Sequence, residues 1–437
     1  MAEERLINEF QKDEFLQIME LINSNENFLL SGGAGSGKTY SLVQVIKQVL
    51  TSNPTAKVAC ITYTNAAVKE IEERVNHKNL NVSTIHDFLW DNIKHFQKEL
   101  KESLIALFND EDVKQLKIED LTSVPSDYYE NREEPVSIQY KEYLKLRDGI
   151  ISHDELLILS EHMFRKYWKL CDIVKDKYKF IFIDEYQDTH EEVVKILLEY
   201  LPRTTKKCII GFFGDAMQAI YDTGIGDIDA YKGDGKGQVK EVKKVQNRRN
   251  PRAVITLANR LRTDGIIQEA SGDITAPNMV EGTLKDGSVL FLYSDNDDIS
   301  NVEHFLSENY GWDFSCANKT KELNLTHNLI ADKAGFRTLM DVYDKDLILA
   351  FKKRIKDYIK GNNIMEDFSD KTFGEVVELL QREKSGKELK KVQPTPSMQQ
   401  FIDANGDLYS YALNYDYSLL SKIHIDKDQL LDDKKQS

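Results

Sequence analysis

Cysteine is scarce: four thiols, Cys60, Cys171, Cys208 and Cys316, are scattered through 437 residues and form no CxxC pair. That spacing argues against a zinc ligand set and suits a reducing cytoplasm. Long apolar runs are missing too, since nothing approaches the ~18–20 residues that span a bilayer. The opening MAEERLINEF is charged from its start and lacks the hydrophobic stretch of a secretion signal. A cytoplasmic protein without membrane contact is expected. Positive charge is also in deficit. Lys and Arg number 58 against 73 Asp and Glu, a net charge of −15, which argues against a broad basic surface for duplex DNA. A groove that grips one strand by stacking and a few local cations remains open.

What is present is an ordinary globular composition, 41% apolar and 10% aromatic, on a chain too long for one core. The first 85 residues alternate helix and strand: an amphipathic helix near 5–23, then strands at 27–30, 57–61 and 82–84 with helices between them. Such alternation predicts a parallel, doubly wound sheet. From 86 to 178 charged, Leu- and Tyr-rich helical stretches dominate, broken by a polar segment between Ser123 and Pro135. This reads as a helical insertion without strands. The sheet pattern resumes at Phe180–Ile183 and Cys208–Phe212, short apolar runs of the buried parallel type. A glycine-spaced loop follows (Gly224, Gly226, Gly233, Gly235, Gly237). Ser288–Tyr293 and Glu322–Leu325 read as strands that open a second sheet domain, and 341–437 as mostly helical with a charged tail.

Gly32-Gly33-Ala34-Gly35-Ser36-Gly37-Lys38-Thr39 fits G-x-x-x-x-G-K-[ST] between a predicted strand and a helix. Glycines let backbone N–H groups approach phosphates, and the helix N-terminus adds a favourable dipole. Lys38 would contact the β- and γ-phosphates of ATP, and Thr39 would offer its hydroxyl to Mg²⁺. Asp184-Glu185 ends an apolar strand, where such ATPases place a metal-binding carboxylate and a water-activating base. An acidic pair at a helix N-terminus is the plainer alternative, stabilising by under ~1 kcal/mol.

The surrounding residues resemble the UvrD/Rep group of superfamily 1 helicases. Asp184-Glu185-Tyr186-Gln187-Asp188-Thr189 looks like that group's DExQDT box. Gly214-Asp215-Ala216-Met217-Gln218-Ala219-Ile220-Tyr221 looks like its GDxxQxIY box. Thr62-Tyr63-Thr64-Asn65-Ala66-Ala67, Ser83-Thr84-Ile85-His86-Asp87-Phe88 and Gln246-Asn247-Arg248-Arg249-Asn250-Pro251 resemble three further boxes, all in the group's order. The resemblance covers about 5–260 well and 288–340 weakly. It implies a RecA-like P-loop ATPase domain formed by 1–85 and 179–270, with 86–178 as its helical insertion. A partial second RecA-like domain would occupy 271–340, with a partial helical insertion at 341–437.

It also implies roles. Asp184 would support Mg²⁺ with Thr39, Glu185 would orient or deprotonate water, and Gln218 would sense the γ-phosphate. Arg249 would act as an arginine finger, the alternative being a surface arginine in a basic run. Gln11 would read the adenine edge, with Gln17 as fallback. In the group, Arg follows the Walker threonine and Tyr lies in the late box, and the two flank adenine; here Tyr40 and Arg248 stand there exchanged. Both side chains stack on purines, so a sandwich with its slices swapped is expected. Tyr63 would stack on a base of single-stranded DNA, with Thr64, Asn65 and His86 contacting its backbone. For His86, bracing the domain junction is an equal alternative.

Two boxes of complete group members are not found: neither His327 nor His424 is followed by Lys-Gly, and no Thr-Arg-Ala occurs. The chain is then truncated, takes its missing strands from elsewhere, or is a degenerate relative; a truncated motor with weak hydrolysis is the favoured expectation. The leading function is an ATP-driven 3′→5′ DNA helicase or translocase. The alternative is a nucleic-acid-sensing subunit that regulates a partner nuclease, as in antiphage systems of the Gabija type. The DExQDT box excludes a small-molecule kinase.

Overall fold

In a computed structural model, the structure describes residues 14–399 apart from 114–115, 117–120, 122, 132–135, 222, 234, 236–237, 294–298, 317, 324–329, 346, 363, 365–372, 383–385 and 397–398. The described residues form two compact units, one from those within 1–116 and 123–289 and one from those within 117–122 and 290–437.

The first unit is built on a six-stranded sheet: β1 (Asn27–Gly32), β2 (Val58–Thr62), β3 (Leu80–Thr84), β6 (Phe180–Asp184), β7 (Ile209–Gly214) and β8 (Val239–Lys244). Two short strands of the intervening segment, β4 (Gln139–Tyr140) and β5 (Ile150–Ile151), pair with each other in a separate two-stranded sheet. The sheet order is β3-β2-β6-β7-β1-β8, and every pairing is parallel. The central strands are mostly apolar and almost wholly buried along their length, as strands of a parallel sheet covered on both faces are. Phe213 meets both Phe28 and Phe182 edge-on in the core, with its centroid 5.6 Å from that of Phe28 at 87°. A Cβ on Gly211 would lie 2.4 Å from the Phe28 ring, so this strand position accepts glycine alone.

Helix α1 (residues 14–23) precedes β1, while the start of the helix expected from residue 5 falls outside the described residues. Helix α2 (Lys38–Ser52) buries Leu42, Val45, Ile46 and Val49 against the sheet. Helix α3 (Asn65–Val75) starts at a Thr64 cap whose hydroxyl accepts the Ala67 N–H at 3.2 Å. The intervening segment contributes α4 (Ile85–Ile93), α5 (Gln97–Phe108), α6 (His153–Lys166) and α7 (Trp168–Lys177), and the short α8 (Glu191–Lys195) follows β6. Helices dominate it as expected, but the β4–β5 pair corrects the expectation that it holds no strand. Two-residue strands carry too little alternation to be read from sequence.

Strand β8 has no counterpart in the sequence reading. VKEVKK offers just Val239 and Val242 to the core. Its polar residues are satisfied locally: the Ser31 hydroxyl donates to Glu241 at 2.6 Å, and Lys244 pairs with Glu14 at 2.8 Å. Beyond it, α9 (Arg252–Leu261) follows the short strand β9 (Gln246–Asn247), which pairs with β10 (Glu269–Ala270).

The expected strand at Ser288–Tyr293 is corrected: these residues have no regular structure, and Phe291 and Tyr293 are 89% and 87% exposed. An apolar run without a neighbouring strand to take its N–H and C=O groups gains no ladder. At the second expected strand, Glu322 and Leu323 are irregular, and Asn324 and Leu325 lie outside the described residues. In the second unit, helices Leu347–Gly361, Phe373–Gln381 and Gly386–Val392 enclose a small core around Phe351, Ile355, Val376 and Val377.

Candidate ATP site and nucleic-acid interface

The C-terminal ends of β1, β6 and β7 carry the sequence-predicted residues to one edge of the sheet. Gly35 and Gly37 adopt left-handed φ of 85° and 83°, which lets the loop curl before α2 begins. A Cβ on Gly35 would also lie 2.8 Å from Asn247 Oδ1 and 2.9 Å from the Arg249 Cβ. The buried Lys38 folds back, its Nζ donating to Gly32 O at 2.9 Å, while Ser36 Oγ is buried without a partner among the described residues.

Asp184 ends β6. Burial pushes its carboxyl up to about 7, and the adjacent Glu185 adds to the rise; Lys38, the Glu185 N–H and the Thr39 hydroxyl pull it back. Its Oδ1 is buried and unpartnered among the described residues. A buried, unsatisfied acceptor beside a threonine hydroxyl is the donor set a hard divalent cation takes. Glu185 adopts a left-handed φ of 49°, a costly conformation for a residue with a Cβ, and turns the chain out of the sheet. Gln187 holds it there: Nε2 donates to Glu185 Oε2 at 2.9 Å, and Oε1 accepts the Asp215 N–H at 3.0 Å. One buried amide thus ties the ends of β6 and β7.

Asp215 is buried and doubly bonded to Arg262, and Gln218 Nε2 donates to its Oδ2 at 2.6 Å. Burial alone would raise the Asp215 carboxyl, but the guanidinium and the amide outweigh it and hold it below the usual carboxylate range. Arg249 is brought to the loop by backbone geometry. The Arg248 N–H donates to Gly35 O at 2.9 Å, Asn247 Nδ2 to Ala34 O at 2.8 Å, and Asn247 Oδ1 accepts the Arg249 N–H at 3.0 Å. The Arg249 side chain is exposed and makes no ion pair among the described residues. Arg248 pairs with Asp273, and Tyr40 is 63% exposed; neither ring nor guanidinium is engaged with the other. Gln11 lies outside the described residues, and Gln17 is exposed on α1.

A cleft of about 360 Å³ runs from Thr39, Asp184 and Glu185 to Tyr63 and Tyr221. The two tyrosine rings stack, 5.0 Å apart at 28°. Thr64 is committed to capping α3, and Asn65 is exposed at its first turn. His86, at the start of α4, packs on His153 at 4.6 Å and faces Tyr140 at 6.4 Å. Burial lowers its imidazole to about 4, helped by His153 and His190 and only partly offset by Asp154 and Asp87. It is neutral near pH 7 and offers no charge to a phosphate. A somewhat larger cavity, about 400 Å³, opens at the opposite end of the strands around Asn27, Lys175 and Cys208. None of the predicted residues reaches it, so size does not mark the site here.

Sequence reasoning missed Arg262, Gln268 and the bridging role of Gln187. Gln268 packs against Gly33 and Asn247, and nothing in its local pattern signals that. Gln187 was visible inside its box, but its two partners lie on different strand ends.

A sequence family described as an AAA domain matches residues 16–223. The chain is 29% identical to Gabija protein GajB of Bacillus cereus (strain HuB5-5), over 83% of this chain and 63% of that protein. It is 26% identical to a probable DNA helicase II homolog of Rickettsia conorii (55% and 43%) and 24% identical to ATP-dependent DNA helicase PcrA of Bacillus subtilis (44% and 31%). It thus spans between 31% and 63% of the length of these relatives. Parallel sheet, glycine loop and strand-end acids define a P-loop NTPase of RecA-like fold. Among these, the chain is related to the UvrD/Rep-type superfamily 1 helicases.

Proposed function

We propose that the chain is an ATP-driven motor that moves 3′→5′ along single-stranded DNA in the cytoplasm. The observation that carries this reading is the single cleft lined at one end by Thr39, Asp184 and Glu185 and at the other by the Tyr63–Tyr221 pair. ATP hydrolysis and base stacking would occur within one continuous space. Residues 1–85 with 179–270 would be the first motor domain, 86–178 its insertion, 271–340 part of a second motor domain and 341–437 part of a second insertion.

In this reading Thr39 and Asp184 hold Mg²⁺, which neutralises phosphate charge when bound. The loop N–H groups of 32–38 and Lys38 bind the phosphates, Lys38 exchanging its Gly32 carbonyl for a phosphate oxygen. Glu185, oriented by Gln187, takes the proton of the attacking water. Gln218 uses its amide oxygen toward the cleft because its Nε2 is committed to Asp215. Arg249 stabilises the charge of the leaving phosphate. Gln11, Tyr40 and Arg248 receive the adenine; Arg248 stacks either while paired with Asp273 or after releasing it. Tyr63 and Tyr221 grip bases, a contact worth ~1–3 kcal/mol each and blind to sequence. Thr64, Asn65 and His86 line the strand's path as neutral contacts.

A second reading is favoured by one observation: the GajB match covers 83% of this chain, more than either helicase match reported above. The ATP cycle would then gate a partner nuclease of an antiphage system. Duplexes with a 3′ or a 5′ tail separate the readings. Strand separation confined to the 3′-tailed duplex supports the motor. No separation, together with ATP-dependent control of a co-purified nuclease, supports the gate.

A further inference from the structure

Five side-chain amides, all from residues 247–278, stand behind the glycine loop. Three of them donate to one carbonyl, that of Ala34: Asn247 Nδ2 at 2.8 Å, Asn250 Nδ2 at 3.2 Å and Gln268 Nε2 at 3.5 Å. Asn247 is fully buried and uses every bonding position of its amide. Its Oδ1 accepts the N–H groups of Arg249 and Asn250 at 3.0 and 2.9 Å. Its Nδ2 gives one hydrogen to Ala34 O and the other to Gln268 Oε1 at 3.2 Å. Gln268, 3% exposed, is pinned in turn by Asn259 of α9. Asn259 Oδ1 accepts the Gln268 N–H and Asn259 Nδ2 donates to the Gln268 carbonyl, both at 2.8 Å. The fit leaves no slack, since a Cβ on Gly33 would lie 2.5 Å from Gln268 Cδ. Asn278 Nδ2 closes the far side, donating to Asn247 O at 3.1 Å and Asn250 O at 2.9 Å. Neither Gln268 nor Asn259 lies in a sequence box or lines the cleft of Thr39, Asp184 and Glu185.

We propose that Gln268, held by Asn259, is a positioning residue for Arg249; the proposal rests on the ATPase reading above. One planar amide, that of Asn247, joins the loop carbonyl of Ala34 to the backbone of Arg249. Gln268 Oε1 takes the second hydrogen of its Nδ2. Without that acceptor a buried N–H is left unpaired, and the amide tilts toward another partner at the expense of its remaining bonds. The Arg249 N–H then loses its anchor at the loop, and the guanidinium drifts from the phosphate although nothing has touched it.

The test is single-turnover ATP hydrolysis and binding of a fluorescent ATP analogue by the purified full chain. Gln268→Met keeps the volume and removes the amide; it should slow hydrolysis by about 10–10²-fold and leave affinity within a few fold. Asn259→Ala, which frees Gln268 from behind, should give the same split and keeps the test open should one variant fold poorly. In an Arg249→Ala chain, Gln268→Met should slow hydrolysis by less than about twofold more, because the two act as a unit. Equal loss of rate and affinity, or a full further loss in the Arg249→Ala chain, would overturn the proposal. Amide hydrogen exchange supplies a readout that needs no turnover. Gln268→Met should speed exchange in residues 246–250 about tenfold or more and leave the β6 and β7 amides unchanged; unchanged exchange in 246–250 would overturn the proposal. A wild-type chain without hydrolysis would overturn the ATPase reading instead, and the exchange measurement would still decide whether Gln268 holds Asn247.

Discussion

Arg262 grips Asp215 through two parallel hydrogen bonds, Nη2 to Oδ1 at 2.7 Å and Nη1 to Oδ2 at 2.9 Å, and both side chains are more than nine-tenths buried. The pair joins the end of α9 to the end of β7 and leaves Asp215 Oδ2 to hold Gln218. Removing the guanidinium strands a buried carboxylate, which costs about 3–5 kcal/mol. Arg262→Ala should therefore lower the thermal midpoint sharply. Arg262→Lys should recover part of the loss, since one ammonium cannot make both bonds. Thermal unfolding of the two variants beside wild type checks this.

Glu185 is left-handed and its carboxylate accepts Gln187 Nε2, and the proposed mechanism uses it as a base. Glu185→Gln keeps the shape and removes the basicity. Turnover should fall by about 10²–10⁴, while binding of a fluorescent ATP analogue is retained. Loss of binding instead would assign Glu185 to nucleotide capture.

Arg249 is held at the loop through its backbone N–H, which donates to the Asn247 side chain, and its guanidinium makes no ion pair among the described residues. Arg249→Ala should slow hydrolysis by about 10³ or more and leave nucleotide affinity within a few fold. Single-turnover measurements separate the two quantities.

Asp184 supplies a pH test. Its carboxyl rises from an ordinary 3.8 to about 7 through burial first and Glu185 second. Between those values the folded chain keeps a proton that the unfolded chain has released, so this group makes stability fall as pH rises from about 4 to about 7. Asp184→Asn removes the titration. The midpoint of wild type relative to Asp184→Asn should drop across that window, and Mg²⁺ should reverse part of the drop in wild type only.

The tyrosine pair should carry strand affinity. Tyr63→Ala or Tyr221→Ala should each weaken oligo-dT binding by ~1–3 kcal/mol, and the double variant should lose less than the sum because the rings already contact each other. Fluorescence anisotropy of a labelled strand reads this directly.

Much of the site was legible because its parts are local. The glycine loop, Asp184-Glu185 and Tyr63 each sit at the end of an apolar strand, and position in the strand fixes where they point. Arg262, Gln187 and Gln268 act through partners 47, 28 and 21 residues away in sequence, separations that no short pattern encodes. Strand β8 escaped notice because its two buried residues, Val239 and Val242, are three apart and fall on opposite faces, so its lysines and glutamate leave no alternation to read. Ser288–Tyr293 failed in the opposite direction: its apolar run is strand-like, yet it has no neighbouring strand to pair with.

The central claim is that one cleft joins hydrolysis to strand binding, and its most direct measurement is ATP turnover of the purified chain across an oligo-dT titration. The expected result is a saturable rise of about tenfold or more, abolished by Lys38→Ala and shifted to higher strand concentration by Tyr63→Ala. Turnover that is flat across the titration, or stimulation indifferent to Tyr63→Ala, would contradict it.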